Sequence, residues 1–264
     1  MPKTLYKILM ILPYFLFAGQ LLSLCALFYA PFVFSVADWA ATMFMYFIGG
    51  CLGGSVTFHR LLSHRSWKAP TWWTYIGSLC GMLFLIGSPL AWANAHIAHH
   101  KFVDTEKDPH SPTHKGFFRV QWLSMFDTPQ TMRYGLRNIN PFQTFLHKHY
   151  VGLHLTYSFT VFWLAGLHGL AVWYLVPSAL IWNMASLVNT LNHMVVKGNY
   201  RLEVSSTSEP KQGKAHNNLL TGFLVWGEGW HHNHHVAPHS ANFGKAWWEL
   251  DVSYLVIKLL EVKQ

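Results

Sequence analysis

Histidines are concentrated in three short boxes of this 264-residue chain, which contains 18 histidines in all. The boxes read HRLLSH at 59–64, HIAHH at 96–100 and HHNHH at 231–235. Neutral imidazole binds iron, zinc, copper and nickel alike, so clustered imidazoles indicate a transition-metal centre without choosing the metal. Two H-x-x-H-H repeats and one H-x4-H box are hard to obtain by chance, and we interpret their histidines as metal ligands.

Helical spacing places the histidines of a box on shared faces. Residues three and four apart lie on one face, so each H-x-x-H-H box can point three imidazoles in one direction, and Asn189 and His193 form a further pair. His59 and His64 differ, because five residues turn an α-helix by roughly 140°; we expect them to serve different metals or to flank a helix break. The simplest arrangement for so many imidazoles is two metals, each bound by four or five nitrogens. The nine predicted ligands are His59, His64, His96, His99, His100, His193, His231, His234 and His235.

Acidic residues beside the boxes are candidates for orienting the imidazoles by accepting a ring N–H. These residues are Asp104, Asp108 and Glu228, and a surface role is an equally good interpretation of each. His232 lies about 100° around a helix from His231, so we expect it to hydrogen-bond nearby rather than bind metal. We interpret the other histidines outside the boxes as surface or interfacial residues, namely His110, His114, His147, His149, His154, His168, His216 and His239.

Apolar runs long enough to cross a bilayer precede the first box and separate the second box from the third, in a chain that is 52% apolar and 11% charged. The uncharged runs 8–30 and 39–58 each reach the roughly 20 residues that cross a hydrocarbon core. The run 151–192 is about 42 residues long, and Gly166 and Gly169 indicate a turn between crossings at 151–169 and 171–192. The stretch 72–93 is interrupted by glycines and Pro89, so it either crosses or lies in the interface.

Charge decides the sidedness of these segments. If four segments cross and 72–93 does not, then 59–150 and 193–264 share a face with the N-terminus, and that face carries all 19 Lys and Arg residues. The positive-inside rule makes this face cytoplasmic. The net charge of +8 therefore reflects topology and an anionic membrane surface, and no nucleic-acid partner is expected. We predict an all-α integral membrane fold, one domain over 1–264, with four transmembrane helices and a cytoplasmic helical cap that holds the histidine-rich site.

The boxes and their flanks resemble the membrane fatty-acid desaturase family, in particular its Δ9 acyl-CoA and acyl-lipid branch. The chain reads HRLLSHRSW at 59–67, HIAHHKFVDTEKDPHSP at 96–112, NTLNH at 189–193 and GEGWHHNHH at 227–235, in family order. The resemblance implies that the nine histidines hold two irons and that Asn189 reaches one iron through a water. Two positions depart from the family pattern: His232 replaces a frequent Asn, and residues 119–122 replace a His-containing segment.

The resemblance also implies an activity, cofactors and partners. The implied enzyme uses two iron ions (Fe2+/Fe3+) and O2 as co-substrate to place a cis double bond, at Δ9, into a saturated fatty-acyl chain. Its implied partners are a fatty-acyl-CoA or acyl-lipid substrate, membrane lipid, and an electron donor that is ferredoxin or a b-type cytochrome with its reductase. Because the acyl chain has no polar feature near its middle, a narrow apolar tunnel has to measure the bond position from the head group.

Two other activities stay open as alternatives. A related fatty-acid, sterol or alkane hydroxylase would share the irons but add a hydroxyl group to the substrate. The first box of such hydroxylases usually has three residues between its two histidines, or a Glu after the first histidine. In this chain Arg60 follows His59. A histidine-rich metal transporter or metal sensor would need polar residues inside the spans to mark an ion path, and the spans mostly lack them.

Two sets of residues near the boxes have more than one interpretation. The run Gly49, Gly50, Gly53 and Gly54 favours close helix packing, with a direct role in tunnel shape as the alternative. Arg60, Arg65 and Lys68 either pair with phosphates of a carrier or lipid head group or simply follow the positive-inside bias.

Overall fold

The computed structural model describes residues 3–127, 140–202 and 213–262, with side chains from Ile11 onward. Helix α1 spans Lys3–Val33. Helix α2 spans Val36–Ser63; its first part, Val36–Tyr46, is α-helical and its second part, Phe47–Ser63, is π-helical. A capping box starts α2, because the Ser35 hydroxyl accepts from the Asp38 N–H while the Asp38 carboxylate accepts from the Ser35 N–H.

The remaining elements are mostly short. They are α3 (Thr71–Met82), α4 (Pro89–Phe102), α5 (Pro112–Lys115), a π turn (Arg119–Leu123), a 3-10 turn (Ser124–Phe126), α6 (Pro141–Lys148), α7 (Tyr150–Leu170), a π-helical link (Ala171–Leu175), α8 (Val176–Leu191), β1 (Asn199–Tyr200), β2 (Asn217–Asn218), α9 (Leu219–Leu224), α10 (His231–Val236) and α11 (Val252–Leu260). The strands form one antiparallel pair. Helices are thus the main regular structure of the described residues, as the predicted all-α fold requires, and the pair of two-residue strands is the exception.

Within the part of the chain that the structure describes, three helical stretches are long and apolar enough to cross a membrane, namely Ile11–Val33, Val36–Ser63 and Tyr150–Leu191. The third is 42 residues long. Its backbone leaves the helical region at Gly166, where φ is 65° and ψ is −166°. Nδ1 of His154 lies 2.8 Å from the hydroxyl of Tyr174, whereas a continuous helix would separate residues 20 apart by about 30 Å. The stretch therefore folds back on itself as a hairpin, with the turn where Gly166 and Gly169 indicated it.

The apolar stretch 72–93 forms two short helices, not one span. Helix α3 has 12 residues, or about 18 Å of helix, which is too short to cross. It packs against the π-helical part of α2 so closely that a Cβ on Gly53 would overlap the backbone of Gly81. The predicted close packing of the glycine run is confirmed at this point.

The turn at 83–88 connects α3 to α4 and lies between the long helices. Side chains of those helices bind its backbone: Gln20 Nε2 donates to the Leu85 carbonyl at 2.8 Å, and the Gly87 N–H donates to the Tyr150 hydroxyl at 3.2 Å. Backbone buried at membrane depth requires partners of this kind, because no water is available there. The turn fixes the start of α4 and hence the direction in which the second histidine box points.

The C-terminal helix α11 completes the scaffold by packing along α2. Ile257 is fully buried against Cys51 and Val56. The Ser253 hydroxyl lies 2.7 Å from that of Ser55, one turn before the first histidine box. The histidines of this scaffold meet in one place, which is formed by the end of α2, the end of α4, the end of α8 and the whole of α10.

Candidate metal centre

Nine histidine side chains converge into two groups, and they are the nine that the sequence singled out. Within each group one ring nitrogen per histidine lies within 4.8 Å of every other. The five-histidine group consists of His59, His64, His96, His100 and His234, and the four-histidine group consists of His99, His193, His231 and His235.

The Nε2 atoms face one another across each group. The closest pairs lie 2.8–3.1 Å apart and are His64–His96, His100–His234 and His59–His234 in the first group and His193–His231 and His231–His235 in the second. Two nitrogens bound at about 2.0–2.1 Å to one tetrahedral or octahedral ion stand roughly 2.9–3.4 Å apart. The imidazoles are therefore spaced as ligands of one ion in each group.

Burial keeps most of these imidazoles neutral. It lowers the pKa of six of them well below the ordinary value of 6.5, and the neighbouring imidazoles lower it further. Neutral imidazole is the form that binds metal. The six are His64, His96, His100, His231, His234 and His235.

Each H-x-x-H-H box contributes to both groups. The second box places His96 and His100 in the five-histidine group and His99 in the other. The third box does the reverse, with only His234 in the five-histidine group. Consecutive residues stand about 100° apart on a helix, so a box that faces the gap between two sites serves both. The expectation that each box points three imidazoles in one direction is corrected accordingly.

His59 and His64 lie in the same group, so the expectation that they serve different metals is wrong. The α-helical angle does not apply here because this end of α2 is π-helical. The His64 N–H donates to the His59 carbonyl at 3.1 Å, an i to i+5 bond that stacks residues five apart. The other alternative holds, since Ser63 is the last helical residue between them.

The three predicted acidic residues each accept a hydrogen bond from the Nδ1–H of a different histidine. The pairs are Glu228 with His59 at 2.5 Å, Asp108 with His99 at 2.9 Å and Asp104 with His193 at 3.1 Å. A carboxylate on Nδ1 fixes the ring and its tautomer and leaves Nε2 free for a metal. The geometry favours the orienting role over the surface role for all three.

The groups that contact two of these carboxylates keep them ionised. Burial alone would raise the pKa of Asp108, but the His99 imidazole outweighs it and brings the pKa to about 2. Burial would likewise raise the pKa of Glu228, but His59 and Arg60 bring it to about 2. Both carboxylates are therefore pure acceptors at neutral pH.

Arg60 is fully buried, so it does not pair with phosphates of a carrier or lipid head group. Its Nη2 donates to the two carboxylate oxygens of Asp251 at 3.0 and 3.1 Å, and its Nη1 donates to Glu228. The guanidinium lies 3.7 Å from the ring centroid of Phe243. Arg60 thus joins Glu228, which holds His59, to the C-terminal segment. Asp251 was missed because its partner stands 191 positions away and no local spacing signals it.

The remaining predicted residues lie outside the two groups. Asn189 lines a cavity next to the histidines. His232 is buried beside Arg201 and His216, consistent with its exclusion from the metal side.

Three histidines contradict the surface interpretation. His147 Nδ1 lies 2.6 Å from the Ser88 hydroxyl, and His154 contacts Tyr174, both deep in the core. His110 lines the same cavity as Asn189, and burial lowers its pKa to about 4. A lone histidine carries no periodic signal that distinguishes these positions from surface ones.

The cavity is lined by residues of the site and by apolar side chains. The site residues are His59, His96, His231, Glu228 and Asn189. The other lining residues include a packed set of Tyr46, Ile181 and Trp226 with Gly50 and Gly54, and a second packed set of Leu12, Leu16, Met125 and Trp182. The glycine run of α2 therefore has both predicted roles: Gly53 packs against a neighbouring helix, while Gly50 and Gly54 shape the cavity.

Comparisons with known proteins bear on this site. The family model described as fatty acid desaturase matches residues 37–252, which contain all nine histidines. The chain is 33% identical to Delta-9 acyl-lipid desaturase 1 of Arabidopsis thaliana over 90% of this chain and 76% of that protein. It is 32% identical to sn-1 stearoyl-lipid 9-desaturase of Anabaena variabilis over 89% and 84% of the two chains. It is 34% identical to Acyl-CoA C20 Delta5-desaturase of Anemone leveillei over 93% and 77%.

Proposed function

The chain belongs to the fatty acid desaturase family, and from that premise we propose that it places a cis double bond, at Δ9, in a saturated fatty-acyl chain. Two of the three relatives above are named for position 9 and one for position 5; two names specify a lipid carrier and one specifies CoA. These names support an acyl-lipid or acyl-CoA substrate, and Δ9 is the position named for both acyl-lipid relatives. They give no support to the hydroxylase alternative.

The observation that carries the proposal is the pair of converging imidazole groups in the wall of an apolar cavity. Nine buried donors, mostly neutral and spaced for one ion per group, fit two transition metals, and we take these to be iron. Bound irons supply, with O2, two electrons and two protons, the oxidising power that removes two hydrogens from an unactivated methylene pair and yields two waters. A side chain alone cannot do this.

The chain's own residues prepare the site for this chemistry. Glu228, Asp108 and Asp104 hold three imidazoles in the tautomer that exposes Nε2. Asn189 lines the cavity at the end of α8, from which its carboxamide would reach one metal through a water. The apolar walls exclude bulk water and hold the acyl chain beside the two groups.

The same proposal includes four membrane crossings with the site on the cytoplasmic face. The two arms of the hairpin at Gly166 provide the third and fourth crossings, each about the length of a bilayer core. His59 near the end of α2 and His193 just beyond α8 then lie at the same membrane surface. The cations of that surface suit an acidic electron donor, ferredoxin or a b-type cytochrome with its reductase.

The test is expression in a host that lacks acyl desaturation, followed by mass spectrometry of fatty-acid methyl esters. We expect a new Δ9 monounsaturated acid in cells with the wild-type chain and none with a His99→Ala, His100→Ala double variant. Iron content of the purified protein is measured in parallel. A hydroxylated acid, or unchanged lipids from an iron-loaded protein supplied with a working electron donor, would refute the proposal.

A further inference from the structure

The wall of the cavity contains a tryptophan in an unfavourable backbone conformation. Trp226 has φ of 59°, in the left-handed region that bulky residues rarely adopt. Its ring lies 5.2 Å, between centroids, from the rings of Tyr46 and Phe47. The Ser253 N–H donates to its carbonyl at 3.0 Å and helps to hold the turn. Such imposed strain concentrates at functional positions.

The indole of Trp226 does not use its hydrogen-bonding group. Nε1 is buried and has no partner among the described residues, although a buried indole N–H usually finds one. The bulk of the ring is therefore what this position contributes. That bulk stands opposite a glycine: a Cβ on Gly50 would lie 3.1 Å from Trp226 Nε1 and 3.7 Å from Ile181 Cγ1. The indole sets the free width of the cavity where α2 has no side chain.

The lining residues of the cavity lie at different depths. Leu12 and Pro13 stand at the start of the span Ile11–Val33. Gly50 stands near the middle of the span Val36–Ser63. Residues 34–35 alone join the two helices, so the start of α1 is level with the end of α2, and Gly50 lies deeper than Leu12. An acyl chain that keeps its polar head group at the membrane surface, at the level of Leu12, would therefore direct its methyl end toward Trp226.

We propose that Trp226, facing Gly50, ends the acyl cavity and limits how many carbons can extend beyond the new double bond. This inference rests on the proposed function and adds the wall that selects chain length. Because the bond position is counted from the head group, the carbons beyond it have to fit between the histidines and the indole. Each methylene that an apolar pocket accepts or rejects changes kcat/KM by roughly tenfold or more.

Two substitutions move this wall in opposite directions. Trp226→Phe keeps an aromatic ring but removes the larger indole, whereas Gly50→Ala adds a methyl group that narrows the gap. Each variant is supplied with equal amounts of C14, C16, C18 and C20 acyl chains, and the monounsaturated products are quantified by mass spectrometry. We expect the ratio of C20 to C16 products to rise about tenfold in Trp226→Phe and to fall about tenfold in Gly50→Ala. The control is Trp247→Phe, at a side chain 92% exposed, which should leave the ratio unchanged.

Unchanged ratios in active Trp226→Phe and Gly50→Ala proteins would overturn the inference. If one variant does not fold, as judged by size-exclusion chromatography, the other still decides, because the two are expected to shift the ratio oppositely. Thermal stabilisation of the iron-loaded proteins by C16 and by C20 acyl chains repeats the comparison without turnover. Failure of the proposed function would instead show as a wild-type protein that distinguishes the chain lengths but forms no double bond.

Discussion

Removing the charge of Arg60 should destabilise the protein far more than removing the charge of a surface arginine. Arg60→Met keeps an unbranched side chain of similar reach but leaves Glu228 and Asp251 without their cation. These carboxylates are only 8% and 4% exposed. Breaking a buried ion pair by deleting one partner costs about 3–5 kcal/mol, since the remaining charge has neither water nor a partner.

The chain contains a matched control with similar hydrogen-bond geometry. Arg119 donates to both carboxylate oxygens of Asp127, at 2.8 and 3.0 Å, but its side chain is 48% exposed. Such surface pairs contribute about 0–1 kcal/mol. At about 2–4 °C per kcal/mol for chains near this size, Arg60→Met should lower Tm by roughly 6–20 °C and Arg119→Met by at most about 4 °C.

The assay is thermal unfolding of the purified proteins in one detergent at one pH. A triple variant, Arg60→Met with Glu228→Gln and Asp251→Asn, separates lost charge balance from lost packing. We expect it to regain part of the Tm, because a neutral network has no unpaired buried charge. Equal Tm losses in Arg60→Met and Arg119→Met would refute the reasoning, and so would a triple variant less stable than the single one.

Three further predictions follow from the site and its supports. Asp108→Ala should lower bound metal and activity by about 10–100-fold, measured as metal per protein, while His232→Ala, outside both groups, should retain its metal. Gly53→Leu should abolish the folded peak in size-exclusion chromatography because its side chain would overlap the Gly81 backbone, whereas Gly152→Leu, with no atoms within 4 Å of a Cβ, should not. Acidification should release the bound metal and lower Tm. The folded-state pKa of six site histidines lies below 6.5, so the unfolded chain takes up more protons than the folded one as the pH falls. The contribution of these histidines to the free energy of unfolding is therefore complete above about pH 6.5 and is lost progressively below it. Iron content and Tm between pH 8 and pH 5 measure this, and a flat profile would contradict it.

The sequence allowed prediction of what depends on short spacing and on long apolar runs. The histidine boxes, the long apolar helices and the turn at Gly166 are all local patterns, and the structure contains each of them. Contacts between residues that are far apart along the chain could not be predicted. Arg60 meets Glu228 after 168 positions and Asp251 after 191 positions, and no periodicity connects them. The carboxylates beside the boxes were found only as neighbours in sequence, without a way to choose between an orienting and a surface role.

The expectation that His59 and His64 serve different metals was wrong for a different reason. It assumed α-helical geometry, and the sequence of α2 gave no sign that its second part is π-helical. A bonding pattern of i to i+5 changes which residues share a face, so every inference from spacing in that part of α2 changes with it. Trp226 was missed because an aromatic residue in an apolar stretch carries no signal of its backbone strain or of the glycine that faces it.

The division of the boxes between the two groups makes the groups depend on one another. Helix α4 supplies two nitrogens to one group and one to the other, and α10 supplies one and two in the opposite sense. Any movement of α4 that widens the five-histidine group therefore also displaces His99 in the four-histidine group. Because His96, His99 and His100 lie on one helix, any rotation of α4 moves ligands of both groups together. The two groups are thus a single packed unit, and the precision of both depends on how firmly the turn at 83–88 and the buried Arg60 hold the helices that carry them.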